Sequence, residues 1–224
     1  MRAFLRENSL SVFFGLLFVL ALAGQSLSGQ RALNAEQIAH GDEPYSWGRY
    51  LVSSDFAGAV MENWQSEFLQ FSLFILATIW LVQKGSNESK PFEDTGLESA
   101  QRQQLYGYAP ENAPAWARAR DWRGIVYQNS LLLAMVSVFL LTWLAQSFNN
   151  WSRFNKEQLE HDGEAVAWGE YVRDPDFWER TLQNWQSEFL AVGTMAVFTI
   201  YLRQRGSPES KPVGAPHTET GSSG

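Results

Sequence analysis

Residues 8–27 read NSLSVFFGLLFVLALAGQSL, and residues 129–148 read NSLLLAMVSVFLLTWLAQSF. Neither stretch carries a charged side chain. A helix of about twenty apolar residues covers the roughly 30 Å hydrocarbon core of a bilayer. Both stretches begin Asn-Ser-Leu and end Gln-Ser followed by a large apolar residue, so one is a copy of the other. By its averages, a chain of 224 residues that is 18% charged, with mean hydropathy −0.24, would suit one soluble domain. Those averages conceal four apolar blocks separated by charged segments. The predicted fold class is an all-α membrane protein with four transmembrane helices, because an open strand leaves its backbone polar groups unsatisfied in lipid.

The predicted spans cover residues 9–27, 64–83, 125–148 and 185–204, the second and fourth being lengthened at their outer ends by Trp64 and Trp185 as interface anchors. A cleaved signal peptide is the competing reading of the first block, with Arg2 and Arg6 as its basic region and Ala21-Leu22-Ala23 as the cleavage site. The internal copy of this block favours its retention. Arg2, Arg6, Lys84, Lys90, Arg118, Arg120, Arg123, Arg203 and Arg205 flank the spans on one side. The two loops of the other side are acid-rich, which predicts cytoplasmic termini.

Sliding the sequence along itself aligns residues 8–91 with 129–212 without a gap at an offset of 121, with 34 of the 84 pairs identical. Asn63 to Leu69, NWQSEFL, recurs unchanged as Asn184 to Leu190, and Gly85 to Pro91, GSNESKP, recurs as Gly206 to Pro212 with only Pro208 changed. Each copy holds two spans, so the repeats are parallel and related by a pseudo-two-fold axis along the membrane normal. The domain plan is a first repeat over 1–91, a flexible cytoplasmic linker over 92–123, a second repeat over 124–212 and a disordered tail over 213–224. In each outer loop a short helix is expected from Asn34 or Asn155 as N-cap, with Gln37 or Gln158 three positions on, ending at Gly41 or Gly163. A further helix is expected from Asp174-Pro175, or from Ser53 or Ser54, with no breaker before Arg205 in the second copy.

A net charge of −7 without a basic stretch argues against nucleic acid as a partner. The lack of cysteine removes disulfides and thiolate metal sites together. No nucleophile motif, phosphate loop or cofactor fingerprint occurs, so neither an enzyme nor a cofactor is expected. Two groups of residues are candidates for chemistry. At helical spacing Asn63, Glu67 and Thr78 share a face, as do Asn184, Glu188 and Thr199, giving each repeat one polar stripe. That stripe is either a structural fastening between helices or an ion, proton or solute path with the two glutamates at its entrance. Glu36 with His40, and Glu157 with His161, stand four positions apart, as metal ligands on a helix do. Each copy is short of the three or four ligands that a tight zinc site uses, so no bound metal is expected.

The duplicated NWQSEFL and GSxESKP motifs resemble a family of uncharacterised bacterial integral membrane proteins with four spans. The resemblance covers nearly the whole chain apart from the linker. It implies a bacterial cytoplasmic membrane address without an activity. The expected function is a structural, accessory or assembly role in that membrane, with the lipid bilayer and a homo-oligomer or larger membrane complex as partners. A small channel or transporter at the repeat interface is the alternative, and a metal-binding loop protein the second alternative.

Overall fold

The computed structural model describes residues 2–221, and among them every regular element is helical. Eight α-helices run in order: α1 (Arg2–Glu7), α2 (Ser9–His40), α3 (Trp47–Leu51), α4 (Ser54–Trp80), α5 (Trp122–Gln128), α6 (Ser130–Glu160), α7 (Trp168–Tyr171) and α8 (Pro175–Tyr201). Two of them, α2 and α6, are long and apolar enough to cross a membrane. The chain divides into two compact units, residues 1–60 with 146–168, and residues 61–145 with 169–224.

The repeated Asn-Ser-Leu opening has a structural cause. Asn8 and Asn129 stand between helices, and each side-chain amide donates to the carbonyl four residues back, Asn8 to Phe4 at 2.9 Å and Asn129 to Ile125 at 2.8 Å. Such local side-chain bonding competes with the regular helical ladder.

In the first unit α2 continues unbroken through Asn34 to His40, so the short separate loop helix expected there does not form. Nothing between Leu27 and Asn34 interrupts a helix, and Asn34 has another use. Its carboxamide donates to the Tyr45 carbonyl at 2.9 Å and accepts from the Tyr45 amide at 2.7 Å, clamping the returning chain. Asn155 in the continuous α6 makes the same pair of bonds to Val166, at 3.0 and 2.9 Å. Trp47 donates its indole N–H to Ser26 at 3.2 Å, and Trp168 donates to Ser147 at 3.1 Å, again 121 residues on. Three hydrogen bonds of the loop therefore recur at an offset of 121 within this unit. Helix α2 ends on Gly41 at φ 85°, but its counterpart is Asp162 at φ 58°, not the expected Gly163. Aspartate is among the few residues that enter this region at modest cost. Tyr50 of α3 is buried directly against Gly29 of α2, where an added methyl group would overlap its hydroxyl.

In the second unit α8 starts as expected, the Asp174 carboxylate accepting from the Asp176 amide at 2.9 Å ahead of Pro175. In the first unit Ser53 does the same for α4 by accepting from the Phe56 amide at 3.3 Å. Helix α8 stops at Tyr201 instead of continuing to Arg205, and α4 stops at Trp80. The reason lies downstream: the Gln83 and Gln204 amides, which a longer helix would use, are taken by the hydroxyls of Ser89 at 3.0 Å and Ser210 at 2.9 Å.

Candidate functional site

The duplicated NWQSEFL motif lies on α4 and α8, and within the second unit it joins these two helices. Gln65 is fully buried and its carbonyl oxygen accepts the Trp185 indole N–H at 2.7 Å. Ser66, also buried, donates to the Asn63 carbonyl of its own helix at 2.9 Å, and its hydroxyl stands 3.4 Å from Glu188 Oε1. Glu67 lies within electrostatic reach of Glu188. One turn further out, Arg180 bonds Asp176 at 3.0 Å and stands 3.9 Å from Glu62. Around Trp185 the rings of Phe139 and Trp143 pack at 6.4 and 5.9 Å, and the Trp143 indole reaches the buried Thr181 hydroxyl at 3.5 Å. Aromatic contact and interhelical hydrogen bonding together hold the seam.

The polar stripe read from helical spacing has a different composition in space. Asn63 and Glu67 are exposed, while Glu188 is half-buried on Ser66. Asn184 bonds the Arg180 carbonyl of its own helix at 2.8 Å, and Thr78 bonds the Phe74 carbonyl at 2.8 Å. Thr199 is buried and meets the Ser86 hydroxyl at 3.1 Å. The buried partners are Gln65 and Ser66, neighbours of the stripe in sequence that spacing alone did not single out. Their copies Gln186 and Ser187 are exposed, so identical sequence serves two environments. Trp64, anchor of the second predicted span, is half-buried as Trp185 is.

The two GSxESKP segments fold alike. Gly85 and Gly206 take φ of 86° and 83°, the left-handed region in which glycine has no Cβ penalty. Ser86 and Ser207 then accept from the amides of Glu88 and Glu209 at 3.1 and 3.2 Å. The Asn87 side-chain carboxamide donates to the Pro208 carbonyl at 3.2 Å, and Glu88 and Glu209 lie within electrostatic reach. Burial, reinforced by the Glu209 charge, pushes the Glu88 carboxyl above its ordinary pKa. Lys211 is buried and donates to four backbone carbonyls, those of Gly85, Pro216, His217 and Glu219, at 2.6 to 3.2 Å. Its copy Lys90 is partly exposed, bonding the Gly96 carbonyl at 3.3 Å and pairing with Glu98 at 3.2 Å. The segments after the motif return to the helix ends: the Gly96 amide donates to the Ile79 carbonyl at 2.7 Å, and the His217 ring lies 2.9 Å from the Ile200 carbonyl.

A family model described as a domain of unknown function, DUF6766, matches residues 1–222. The chain belongs to this family. No curated protein and no solved structure matches it.

The loop histidines belong to the first unit. His40 closes α2, and His161 follows α6, whose Glu157 stands 3.6 Å from Arg153. Glu36 and His40 are both exposed. Among the described residues no three His, Asp or Glu side chains gather in a group able to hold a metal ion.

Proposed function

We propose that this chain is a four-span integral protein of the bacterial cytoplasmic membrane with both termini in the cytoplasm. In this reading two parallel two-helix repeats pack about an axis along the membrane normal. The role is structural or accessory and non-catalytic, in assembly with itself or with a larger membrane complex.

The observation that carries this reading is the use made of the duplicated motif. Its buried members, Gln65 and Ser66, lie on the seam between α4 and α8, where Gln65 accepts from Trp185 and Ser66 stands 3.4 Å from Glu188. One residue meets its own copy 121 positions on, the Asn87 side chain donating to the Pro208 carbonyl, while Glu67 and Glu88 lie within electrostatic reach of their copies Glu188 and Glu209. Contacts between equivalent positions are what a two-fold axis produces. The distribution of polarity supports a lipid environment. Among the described residues fifteen polar or charged side chains are buried against six apolar ones, the reverse of a water-soluble core. Along α2, Leu10, Phe13, Phe14, Leu16, Val19 and Leu20 are all more than half exposed, a face that needs apolar cover.

A small channel or transporter is the second reading, and the proximity of Glu67 and Glu188 favours it. One experiment separates the two. The Glu67→Gln/Glu188→Gln double variant should extract in the parent's oligomeric form, and parent and variant should show the same background flux of cations and protons in liposomes. Flux in the parent that disappears in an equally stable variant would replace the structural reading with the channel.

A further inference from the structure

The first unit holds a cleft of about 320 Å³ lined by Tyr45, Arg49, Ser53, Asp55, Arg153 and Lys156. Three cations face one carboxylate, and they come from three segments of chain. Arg49 is carried by α3, Arg153 and Lys156 by α6, and Ser53 and Asp55 by the start of α4. We propose that this cleft binds a phosphate group, the shared chemistry of a free phosphate ion and of an anionic phospholipid headgroup.

The site is pre-arranged. Asn34 fixes the Tyr45 backbone by two hydrogen bonds, and the Arg49 guanidinium lies over the Tyr45 ring at 3.8 Å. Lys156 stands 5.8 Å from the centre of the same ring. Helix α3 is itself held by the Trp47–Ser26 bond, by the Ser46 hydroxyl accepting from the Arg49 amide at 3.3 Å, and by Tyr50 buried on Gly29. Gly58 of α4 packs directly on Asn150 of α6, bringing the start of α4 beside Arg153 and Lys156. Side chains positioned before binding lose little freedom when the ligand arrives. The nearest competing anions leave room for a guest: Glu157 reaches Arg153 at 3.6 Å and Glu160 reaches Lys156 at 3.4 Å, each along the surface of α6. No ion pair engages Arg49 among the described residues. Phosphate suits this set because guanidinium groups bind its oxygens in pairs while a lysine adds a point charge.

The repeat supplies an internal comparison. At an offset of 121, Arg49 becomes Glu170, and the positions matching Arg153 and Lys156 are Ala32 and Ala35. The lining positions Val52 and Ser152 become Arg173 and Arg31, so the second copy carries two cations at other positions and lacks the set of Arg49, Arg153 and Lys156. General packing of the duplicated loops, which both copies share, does not account for it.

The test uses the full chain in detergent, titrated with inorganic phosphate against chloride at constant ionic strength, by calorimetry and thermal shift. Saturable binding is expected, weakened about tenfold by Arg49→Gln and further by adding Lys156→Gln, since each removes a charge-assisted bond. Arg205→Gln, outside the cleft, should leave it unchanged. Asp55→Asn should tighten binding several-fold, and this variant decides the matter where the arginine variant fails to fold. A second arm reconstitutes the protein in nanodiscs of phosphatidylglycerol or phosphatidylcholine and counts retained lipid by native mass spectrometry. Phosphatidylglycerol retained by the parent and lost in the Arg49→Gln/Lys156→Gln variant assigns the phosphate to a headgroup; saturable phosphate binding without such retention assigns it to a soluble ion. Absence of both, or binding indifferent to Arg49, Lys156 and Asp55, would overturn the proposal.

Discussion

Replacing Gln65 with leucine isolates the seam between α4 and α8. The side chain is fully buried, and its carbonyl oxygen is the acceptor of the Trp185 indole N–H at 2.7 Å. Leucine keeps most of the volume and removes the acceptor, leaving a donor without a partner, at a cost of about 1–3 kcal/mol. Hydrogen bonds between membrane helices average nearer about 0.6 kcal/mol and reach about 1.7, so about 1–2 kcal/mol is the working value. The second bond of Gln65, to the Glu62 carbonyl at 3.1 Å, lies within α4 and adds little, because that carbonyl faces the helical ladder as well. For a chain of this size the loss corresponds to a drop of about 2–8 °C in Tm. Thermal unfolding in detergent micelles, followed by tryptophan fluorescence and circular dichroism, measures it. Trp185→Phe completes a double-mutant cycle, since phenylalanine keeps the ring contacts with Trp143 and removes only the donor. A coupling energy near 1 kcal/mol is expected, and Gln186→Leu, at the exposed copy, should stay within about 0.5 kcal/mol of the parent. Additive effects of Gln65→Leu and Trp185→Phe, or equal effects at Gln65 and Gln186, would show that the Trp185–Gln65 bond does not fasten the seam.

Two further outcomes follow from the GSxESKP turns. Lys211→Met should destabilise by about 2 kcal/mol or more by leaving four carbonyls without their donor, whereas Lys90→Met, at a half-exposed ion pair, should cost about 1 kcal/mol or less; urea unfolding of both variants compares them. Glu88→Gln should raise Tm at pH 7 and lose that advantage toward pH 4. Because the folded-state pKa of Glu88 is raised, its contribution to stability is fully present below the unfolded value near 4.5 and is lost as pH rises through the folded value. A variant no more stable than the parent at pH 7 would show that Glu88 carries no such penalty.

The long apolar helices and the duplication are legible in composition and spacing, because a span needs only length and lack of charge. What sequence conceals is which of two equal choices a residue makes. Asn34 with Gln37 three positions on has the pattern of a helix start, yet its carboxamide clamps Tyr45 from the middle of α2. Asp162 and Gly163 are adjacent candidates for the left-handed position, and aspartate takes it. Periodicity extends α8 to Arg205, but the Ser210 hydroxyl captures the Gln204 amide and the helix ends at Tyr201. The motif NWQSEFL reads identically twice, so only tertiary packing distinguishes buried Gln65 from exposed Gln186. The cationic cleft joins residues as far apart as Tyr45 and Lys156, and no local pattern announces it.

Thiol accessibility tests the proposed four-span arrangement. The chain has no cysteine of its own, so Glu43→Cys, Glu164→Cys and Ser99→Cys each introduce a single reporter at an exposed position. In intact cells an impermeant maleimide should label the variants at positions 43 and 164 and leave the one at 99 unlabelled until the membrane is opened. Labelling at 99 before opening, or protection of either 43 or 164, would contradict the account.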